Sequence, residues 1–563
     1  LFIVHGTVGL AFAQRRGAIR TLRALGASLK FLTLMILGEI LVLAMAGGLL
    51  GIALGYVVAG ALLPDVAATL RGLYGAQVDG TLTLRPGWVL TGLAMSVAGT
   101  LVASLGALWR ISRMPLLSSA GQRAWGLSTK SLRLLLGTGV GLLVAGAMAP
   151  VAVGDLAGGF MLMGGLLTGS ALLLPAVLNK IIQIAQQYAH HPVTEWIWAD
   201  MRAQLPGLSL ALMALLLALA ANIGVGTMVS SFRLTFQGWL DQRLASEIYL
   251  TARDDEQGGA IANWLEGRAE AVLPIRAVEL DHATGPVFLY GIVDHDTYRA
   301  NWQLIAQGDR PWARLAEGAG ILINEQLARK HEIWPGDSFA AVPDWPLTVV
   351  GVYSDYGNPT GQAIVALDQL LERFPEVQNR RFGIRVAPDV SDALVADLYA
   401  AFDLPSGAVI RQSALKQQSM AIFEKTFLVT AALNVLTLGV AGFAIFTSLL
   451  TLWSQRLPQV APIWALGMTR SNIARLELLR SLVLTSLTAL LALPLGLVLA
   501  WALLAVVNVE AFGWRLPMHL FPGEWIKLFA LALIAGAAAA ALPAYRLSRL
   551  PPASMLRVFA DER

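Results

Sequence analysis

The amino-acid sequence predicts a membrane α-helical bundle of about nine spans with one large soluble domain on its outer side. Three observations predict it. Of 563 residues, 56% are hydrophobic and 14% charged, where soluble chains carry about 25% charged residues. Apolar runs recur along the chain, most of them near the roughly 20 residues that cross a bilayer. Lys and Arg collect in the short loops between alternate runs, which is the positive-inside pattern.

Residues 1–13 read as the tail of a span that opens inside an apolar run at Leu1; because the second copy of the repeat described below is preceded by a span and the soluble domain, a further span and external domain are expected upstream of the first. A basic amphipathic segment, 14–28, follows. Spans are expected at 29–63 and 88–109, separated by a polar hairpin at 64–87. A basic loop, Arg110 to Arg133, leads to spans at 134–153 and 157–178, joined by a tight turn around Pro150 and Asp155. Residues 179–206 are polar and amphipathic, and 207–230 is a span. Residues 236–420 have ordinary soluble composition. Spans at 424–453, 479–508 and 525–545 complete the chain. This divides it into 1–115, 116–206, 207–235, 236–420 and 421–563.

The basic loops 14–30, 110–133 and 454–480 and the C-terminal tail share one side if nine spans alternate, and that side is the cytoplasm. The soluble domain and hairpins 64–87 and 509–524 then lie outside. The basic residues are accounted for by this bias, so the sequence pI near 9.3 implies no nucleic acid. There is no cysteine, which removes disulfides, thiolate metal sites and thiol nucleophiles. No Gly-Lys dipeptide is present, so the chain has no Gly-rich phosphate loop with its lysine. No G-x-S-x-G elbow is present either. A membrane enzyme has no supporting constellation, and no catalytic, cofactor-binding or metal residues are assigned.

The segment 14–28 sets Ala18, Leu22, Leu25 and Leu29 at helical spacing on one side, with Arg16, Arg20 and Arg23 opposite. A second copy lies 441 positions on. Gln14-Arg15 matches Gln455-Arg456, Leu22 matches Ile463, and Ala24-Leu25-Gly26 matches Ala465-Leu466-Gly467. Trp109-Arg110-Ile111-Ser112-Arg113-Met114-Pro115 likewise matches Tyr545-Arg546-Leu547-Ser548-Arg549-Leu550-Pro551. The chain therefore reads as an internal repeat with spans 134–178 inserted. Two copies of a basic cytoplasmic helix suit a partner that is itself paired. Arg15, Arg16, Arg20, Leu22, Arg23, Leu25, Gly26, Arg456, Ile463, Leu466 and Gly467 are the candidate docking residues.

Glu39 falls inside an apolar span, where an ionisable group is costly and is either functional or paired within the bundle. Its counterpart in the second copy is Arg480, with Glu477 one turn earlier at a spacing that permits a pair. Pro458 and Pro462 interrupt the second segment, so the two halves are not interchangeable. Gly47, Gly48, Gly51 and Gly55 are spaced for close helix packing. Asp294-His295-Asp296 and His190-His191 could suggest metals, but a turn and a solvated face explain them. Trp302, Trp312, Trp334 and Trp345 could line a hydrophobic groove, with core packing the default reading. No Pro or Gly falls between Ala414 and Leu438, so one stiff helix is expected to run from the soluble domain into span 424–453.

The order of span, external domain and three spans, with the R-x-x-x-I-x-x-L-x-A-L-G-A-S segment of residues 15–28, resembles the FtsX-like permease family. The stretch GILINEQLARKHEIWPGDSF, 320–339, followed by LTVVGVYSD, 347–355, is similar to the MacB-type periplasmic core domain. The duplicated layout with an inserted pair of spans is most similar to YbbP-type permeases. This resemblance implies a mixed α/β periplasmic domain on a permease of an ABC transporter in the bacterial inner membrane, with the C-terminus cytoplasmic. It implies a separate cytoplasmic ATPase dimer that binds ATP and Mg and grips residues 14–28 and their repeat. It implies work on the outer side, either extracting or exporting a hydrophobic or lipid-linked substrate or switching on a periplasmic esterase-like hydrolase. The chain itself is then not an enzyme.

Overall fold

The computed structural model describes residues 8, 15, 18, 19, 21–74, 83, 85–112, 129–282, 285–356, 358, 360–417, 420, 435–450 and 463–549. The membrane part contains α1 (Leu29–Tyr74), α2 (Pro86–Ser112), α3 (Thr129–Ala152), α4 (Asp155–Gln187) and α5 (Pro192–Arg243). After the soluble domain come α12 (Val435–Leu450), α13 (Arg470–Ala502) and α14 (Pro522–Ser548). A π-helical turn at Leu503–Val507 and a short helix at Asn508–Phe512 prolong α13. Among the described residues, seven helices are long and apolar enough to cross a membrane, and α12 is a shorter apolar one.

The helices overrun the expected spans. The polar stretch 179–206 is no separate element: it forms the end of α4 and the start of α5, joined by a turn at 188–191. Pro192 at the first position of α5 explains the restart. His190 and His191 sit exposed in that turn. Helix α5 continues for 52 residues, about 78 Å at 1.5 Å per residue. That is more than twice the roughly 30 Å hydrocarbon core, so the helix projects well beyond the bilayer and ends at Arg243 inside the soluble domain. Helix α1 similarly overruns its expected span, to Tyr74.

Helices α3 and α4 turn on Gly154 and Asp155, which take positive φ angles of 67° and 50°. Above this turn they approach closely along a glycine seam. A Cβ on Gly165 would lie 2.6 Å from the Leu142 carbonyl oxygen and 2.8 Å from Gly146 Cα. The glycines expected to pack, Gly47, Gly51 and Gly55, meet nothing within 4 Å, and of that set only Gly48 touches a neighbour, Leu93 and Ser96 of α2. Gly165→Ala is expected to cost about 1–3 kcal/mol, because backbone on the opposite helix must move. Thermal unfolding in detergent checks this, with Gly51→Ala as the unaffected control.

The soluble domain has two sheets. The first, in the order β11–β1–β10–β2, is antiparallel. It comprises β1 (Ile248–Thr251), β2 (Ala271–Pro274), β10 (Arg381–Arg385) and β11 (Val409–Arg411), covered by α6 (Asp255–Leu265) and α11 (Ser391–Ala401). The second runs β3–β4–β9–β6–β8–β5, with β7 on β8, and is mixed: β4 is parallel to β9 and β6 to β8. Its strands are β3 (Arg276–His282), β4 (Gly285–Ile292), β5 (Leu304–Gln307), β6 (Gly320–Asn324), β7 (Ser338–Ala340), β8 (Pro346–Tyr353) and β9 (Gly361–Ala366). Helices α7 (Asp296–Asn301), α8 (Pro311–Ala316), α9 (Glu325–His331) and α10 (Leu367–Arg373) flank it. The expected strand, short helix and turn at Pro335-Gly336-Asp337 are β6, α9 and a turn with Gly336 at φ 106°. Every residue of β6 is buried, as its unbroken apolar run requires for a strand covered on both faces.

Trp302 and Trp312 pack in the core of this sheet, Trp345 borders a second core cluster, and Trp334 sits at the surface under Arg329. His295 is an N-cap, its Nδ1 accepting from Thr297 N–H, and Asp294 pairs with Arg299. Among the described residues no group of three His, Asp or Glu is placed to hold a metal.

Candidate functional site: two capped turns and a pinned rod

Both copies of the basic segment end in the same backbone turn. The helical stretch before Gly26 stops at Ala24, and Gly26 takes a φ of 96°. Ala27 N–H bonds the Leu22 carbonyl at 3.0 Å and Gly26 N–H the Arg23 carbonyl at 3.0 Å. In the second copy Gly467 has a φ of 103°. Met468 N–H bonds the Ile463 carbonyl at 3.3 Å and Gly467 N–H the Trp464 carbonyl at 2.9 Å. This six-to-one bond over a left-handed glycine is a Schellman cap, and a side chain there would be strained. Each turn is followed by an N-cap at the equivalent position. Ser28 Oγ accepts from Phe31 N–H and Thr469 Oγ1 from Asn472 N–H, both at 3.3 Å.

This geometry corrects the helical-face reading. Leu25 lies on the turn and Leu29 begins α1, so Ala18, Leu22, Leu25 and Leu29 do not form one face. The residue buried against α1 is Ile19, with Leu32, Ile36 and Ile40. Leu25 is 79% exposed and its counterpart Leu466 89%. Leu22 is also exposed, and Ile463 half-buried. Arg23 is described, whereas Arg16, Arg20, Arg456, Pro458 and Pro462 lie outside the described residues. An apolar side chain on the tip of a rigid turn, held out from the surface, is what a hydrophobic socket on another protein would take.

The two turns are braced differently. Arg15 forms an ion pair with Glu39 of α1, and both side chains are about half exposed. Such a pair contributes about 0–1 kcal/mol, so Glu39→Gln is expected to leave the melting temperature nearly unchanged. The second turn rests through Trp464 and Met468 on Ile473, Ala474, Ala544 and Leu547. Just above it, Arg480 is buried between carboxylates. The expected pair with Glu477 is present at 3.4 Å, and Asp200 of α5 is a second, closer partner. The Arg480 guanidinium also lies 4.6 Å from the Trp196 ring centre. Asp200 gives no signal in the sequence, since it looks like one more polar residue in a cytoplasmic linker. Its contact fastens the foot of α5 to the helix that carries the second turn.

At its other end α5 is pinned into the soluble domain. Arg243 donates to Asp355 Oδ1 at 3.2 Å and to Gln362 Oε1 at 2.8 Å. Its guanidinium lies 4.4 Å from the Trp302 ring centre and 5.2 Å from that of Tyr353. Asp355 is almost fully buried. Asn358 donates to its Oδ2 at 2.8 Å and Asn324 at 3.4 Å, and Gln326 donates to its carbonyl at 2.5 Å. Tyr353 is also buried, which pushes its hydroxyl far above the ordinary range and keeps it neutral. These groups come from β6, α9, β8, β9, the loop between β8 and β9 and the end of α7, so the second sheet and its connections converge on one cation at the tip of α5. Lys416, on the return helix, adds a 2.7 Å pair to Asp241 of α5. Residues 412–417 are helical, while the rest of the expected stalk, 418–434, lies outside the described residues apart from Met420.

The outer hairpin after α13 completes the joint. Arg515 N–H bonds Glu325 of α9 at 3.1 Å, and His519 N–H bonds Ser231 of α5 at 3.0 Å. Trp514 and Leu516 are buried against Leu504, with Met228, Phe232 and Tyr356 packed around them. Trp525 Nε1 donates to Thr227 at 3.3 Å. Helix α13 is thus joined to α5 near the second capped turn and again beside the soluble domain.

The family profile described as the FtsX-like permease C-terminal region matches residues 1–116 and 431–552. That described as the MacB-like periplasmic core domain matches residues 208–401. An uncharacterized ABC transporter permease protein of Mycobacterium tuberculosis is 25% identical over 593 aligned positions, covering 99% of this chain and 68% of the relative. Among solved structures, the extracellular domain of the transporter YknZ from Gram-positive bacteria aligns with 15% identity and a TM-score of 0.22, over 30% of this chain and 98% of that one. The periplasmic region of MacB from Actinobacillus actinomycetemcomitans aligns with 14% identity and a TM-score of 0.23, over 31% of this chain and 94% of that one. With apolar helices and the two profiles together spanning most of the sequence, the chain belongs to the FtsX-like permeases that carry a MacB-like periplasmic core domain.

Proposed function

We propose that this chain is the permease subunit of an ABC transporter, driven by a separate cytoplasmic ATPase dimer that supplies ATP and Mg. The observation that carries the proposal is the pair of matching capped turns, each presenting one exposed leucine, Leu25 and Leu466; the basic residues around them assign both to the cytoplasmic side. A dimeric ATPase offers two sockets, and the chain offers two tips of the same backbone geometry on different supports.

Movement of the second tip is passed to α13 through the Thr469 cap, and to α5 through Arg480 and Asp200. Helix α5 delivers it to the second sheet at Arg243. A continuous helix with buried ionic fastenings at both ends transmits displacement, where a loop would absorb it. The work done outside is the extraction or export of a hydrophobic or lipid-linked substrate. A second reading, in which the same displacement switches on an external hydrolase, draws on the same Arg243 joint, since motion there reaches the domain without opening a passage.

The test is purification of the full-length permease from its native membrane, with bound proteins identified by mass and MgATP hydrolysis assayed. A stoichiometric ABC ATPase, lost on joint Leu25→Asp and Leu466→Asp substitution, is the expected result. Unchanged retention of that ATPase by the doubly substituted permease would remove the two turns from the docking site.

A further inference from the structure

The soluble domain holds a cleft of about 230 Å³ whose lining includes none of the residues that hold Arg243. It opens where β4 and β9 end. These strands are parallel neighbours, with Ile292 paired to Ala366 at their last positions. The chain leaves β4 into Val293-Asp294-His295 and β9 into Leu367-Asp368, so the two ends diverge. A crevice beyond the carboxyl ends of adjacent parallel strands is the usual place for a ligand in α/β sheets. Helix α8 closes the far side with Trp312 and Leu315.

The walls and rim differ in chemistry. Ile292 and Leu315 are buried, and Tyr298 and Trp312 add aromatic surface. Asp294, His295 and Asp368 bring polar groups to the lining. Two of these are already engaged. Arg299 donates to Asp294 at 2.9 Å, and His295 Nδ1 accepts from Thr297 N–H at 3.2 Å. Among the described residues Asp368 forms no ion pair or hydrogen bond. The cleft therefore presents one uncommitted carboxylate beside an apolar and aromatic wall.

The volume selects the size of the guest. It falls below the roughly 300–1,000 Å³ of pockets that enclose whole drug-sized ligands, and suits a group the size of one side chain. A carboxylate next to aromatic faces attracts a cation by direct pairing and by the ring quadrupole. An apolar wall adds burial of methylene groups. An anion would meet the Asp368 charge, and a neutral alkyl group would gain nothing from that carboxylate.

We propose that this cleft binds an ammonium or guanidinium group on an aliphatic stem, the stem against Ile292, Leu315 and Trp312 and the cation at Asp368. The source is either a basic side chain of a polypeptide outside the cytoplasm or a free alkyl diamine. The site stands apart from ATPase docking, so it survives or fails independently of that reading.

The test uses the full-length permease in nanodiscs and saturation-transfer NMR with three water-soluble probes: Nα-acetyl-lysine amide, Nα-acetyl-norleucine amide and 1,5-diaminopentane. The lysine or diamine probe is expected to bind saturably, and norleucine roughly tenfold more weakly or worse. The tighter of the two cationic probes identifies the source. Asp368→Asn, a solvent-facing isosteric change, should weaken cation binding by about tenfold and leave the circular dichroism and melting curve unchanged. Trp312→Phe, which keeps an aromatic wall, should retain binding. No saturable binding of either cation, equal binding of norleucine, or full binding by Asp368→Asn would overturn the proposal.

Discussion

Arg243→Met is expected to loosen the second sheet of the soluble domain by about 3–5 kcal/mol, the usual cost of removing one partner from a buried ion pair. The substitution leaves Asp355 with Asn324 and Asn358 as donors but no cation, in a site almost closed to water. It also removes the guanidinium from the faces of Trp302 and Tyr353. Amide hydrogen exchange reads the effect directly. Amides of β6, β8 and β9 should exchange about two to three and a half orders of magnitude faster, at about 1.4 kcal/mol per factor of ten, with β1 and β10 of the first sheet little changed. Adding Asp355→Asn should recover much of the loss, because no charge is then left buried. If the single and double variants exchange alike, the ionic contact is not what fastens α5 to the sheet. Function should suffer more than folding. With a slack joint the partner ATPase should still turn over, while displacement of the outer domain, read by spin-label distances with and without ATP and vanadate, should shrink.

The part of this path that the sequence showed is the part with a repeating or local signature. Apolar runs marked the spans, and a strand–helix–turn pattern marked β6 to β8. The i, i+3 spacing marked Glu477 with Arg480. Ala-Leu-Gly recurring after 441 residues marked the two turns, although not that their leucines stand outside the helix. A glycine in the left-handed region ends a helix whatever the periodicity of the residues around it, so reading one face through Leu29 went too far. The joint itself was hidden. Arg243 ends a long apolar helix, where a basic residue ordinarily snorkels to the interface. Asp355 lies in Ser-Asp-Tyr-Gly-Asn-Pro, whose composition says only that the chain turns. Their meeting depends on a sheet that brings β6, β8 and β9 together, a long-range fact with no local trace. The glycine seam of α3 and α4 was more accessible. Gly139 and Gly146 are seven apart, as are Gly158 and Gly165, a spacing that puts each pair on one helix face.

Truncating the two exposed leucines, Leu25→Ala and Leu466→Ala, should weaken ATPase binding the most of any substitutions outside the charged clusters. Burying a leucine side chain is worth about 1.5–3 kcal/mol, which corresponds to roughly 10- to 150-fold in affinity for each. The turns belong to different units, so their effects should multiply, and the double variant should fall by at least about a hundredfold. Neither side chain supports the fold, since both project into solvent, and the melting temperature of the permease alone should stay the same. The ratio of the two single effects carries separate information. The first turn is held by Ile19 and an exposed Arg15–Glu39 pair. The second rests on Trp464 and Met468 and stands beside the buried Arg480 cluster. A firmly seated tip loses less freedom on docking and keeps more of its contact energy. Leu466→Ala should therefore cost more than Leu25→Ala in surface-plasmon titrations of the purified ATPase. The opposite order would mean that the looser turn is the main grip and that the second copy serves chiefly to move α13. Equal affinity in all four proteins would mean that the ATPase contacts the permease elsewhere.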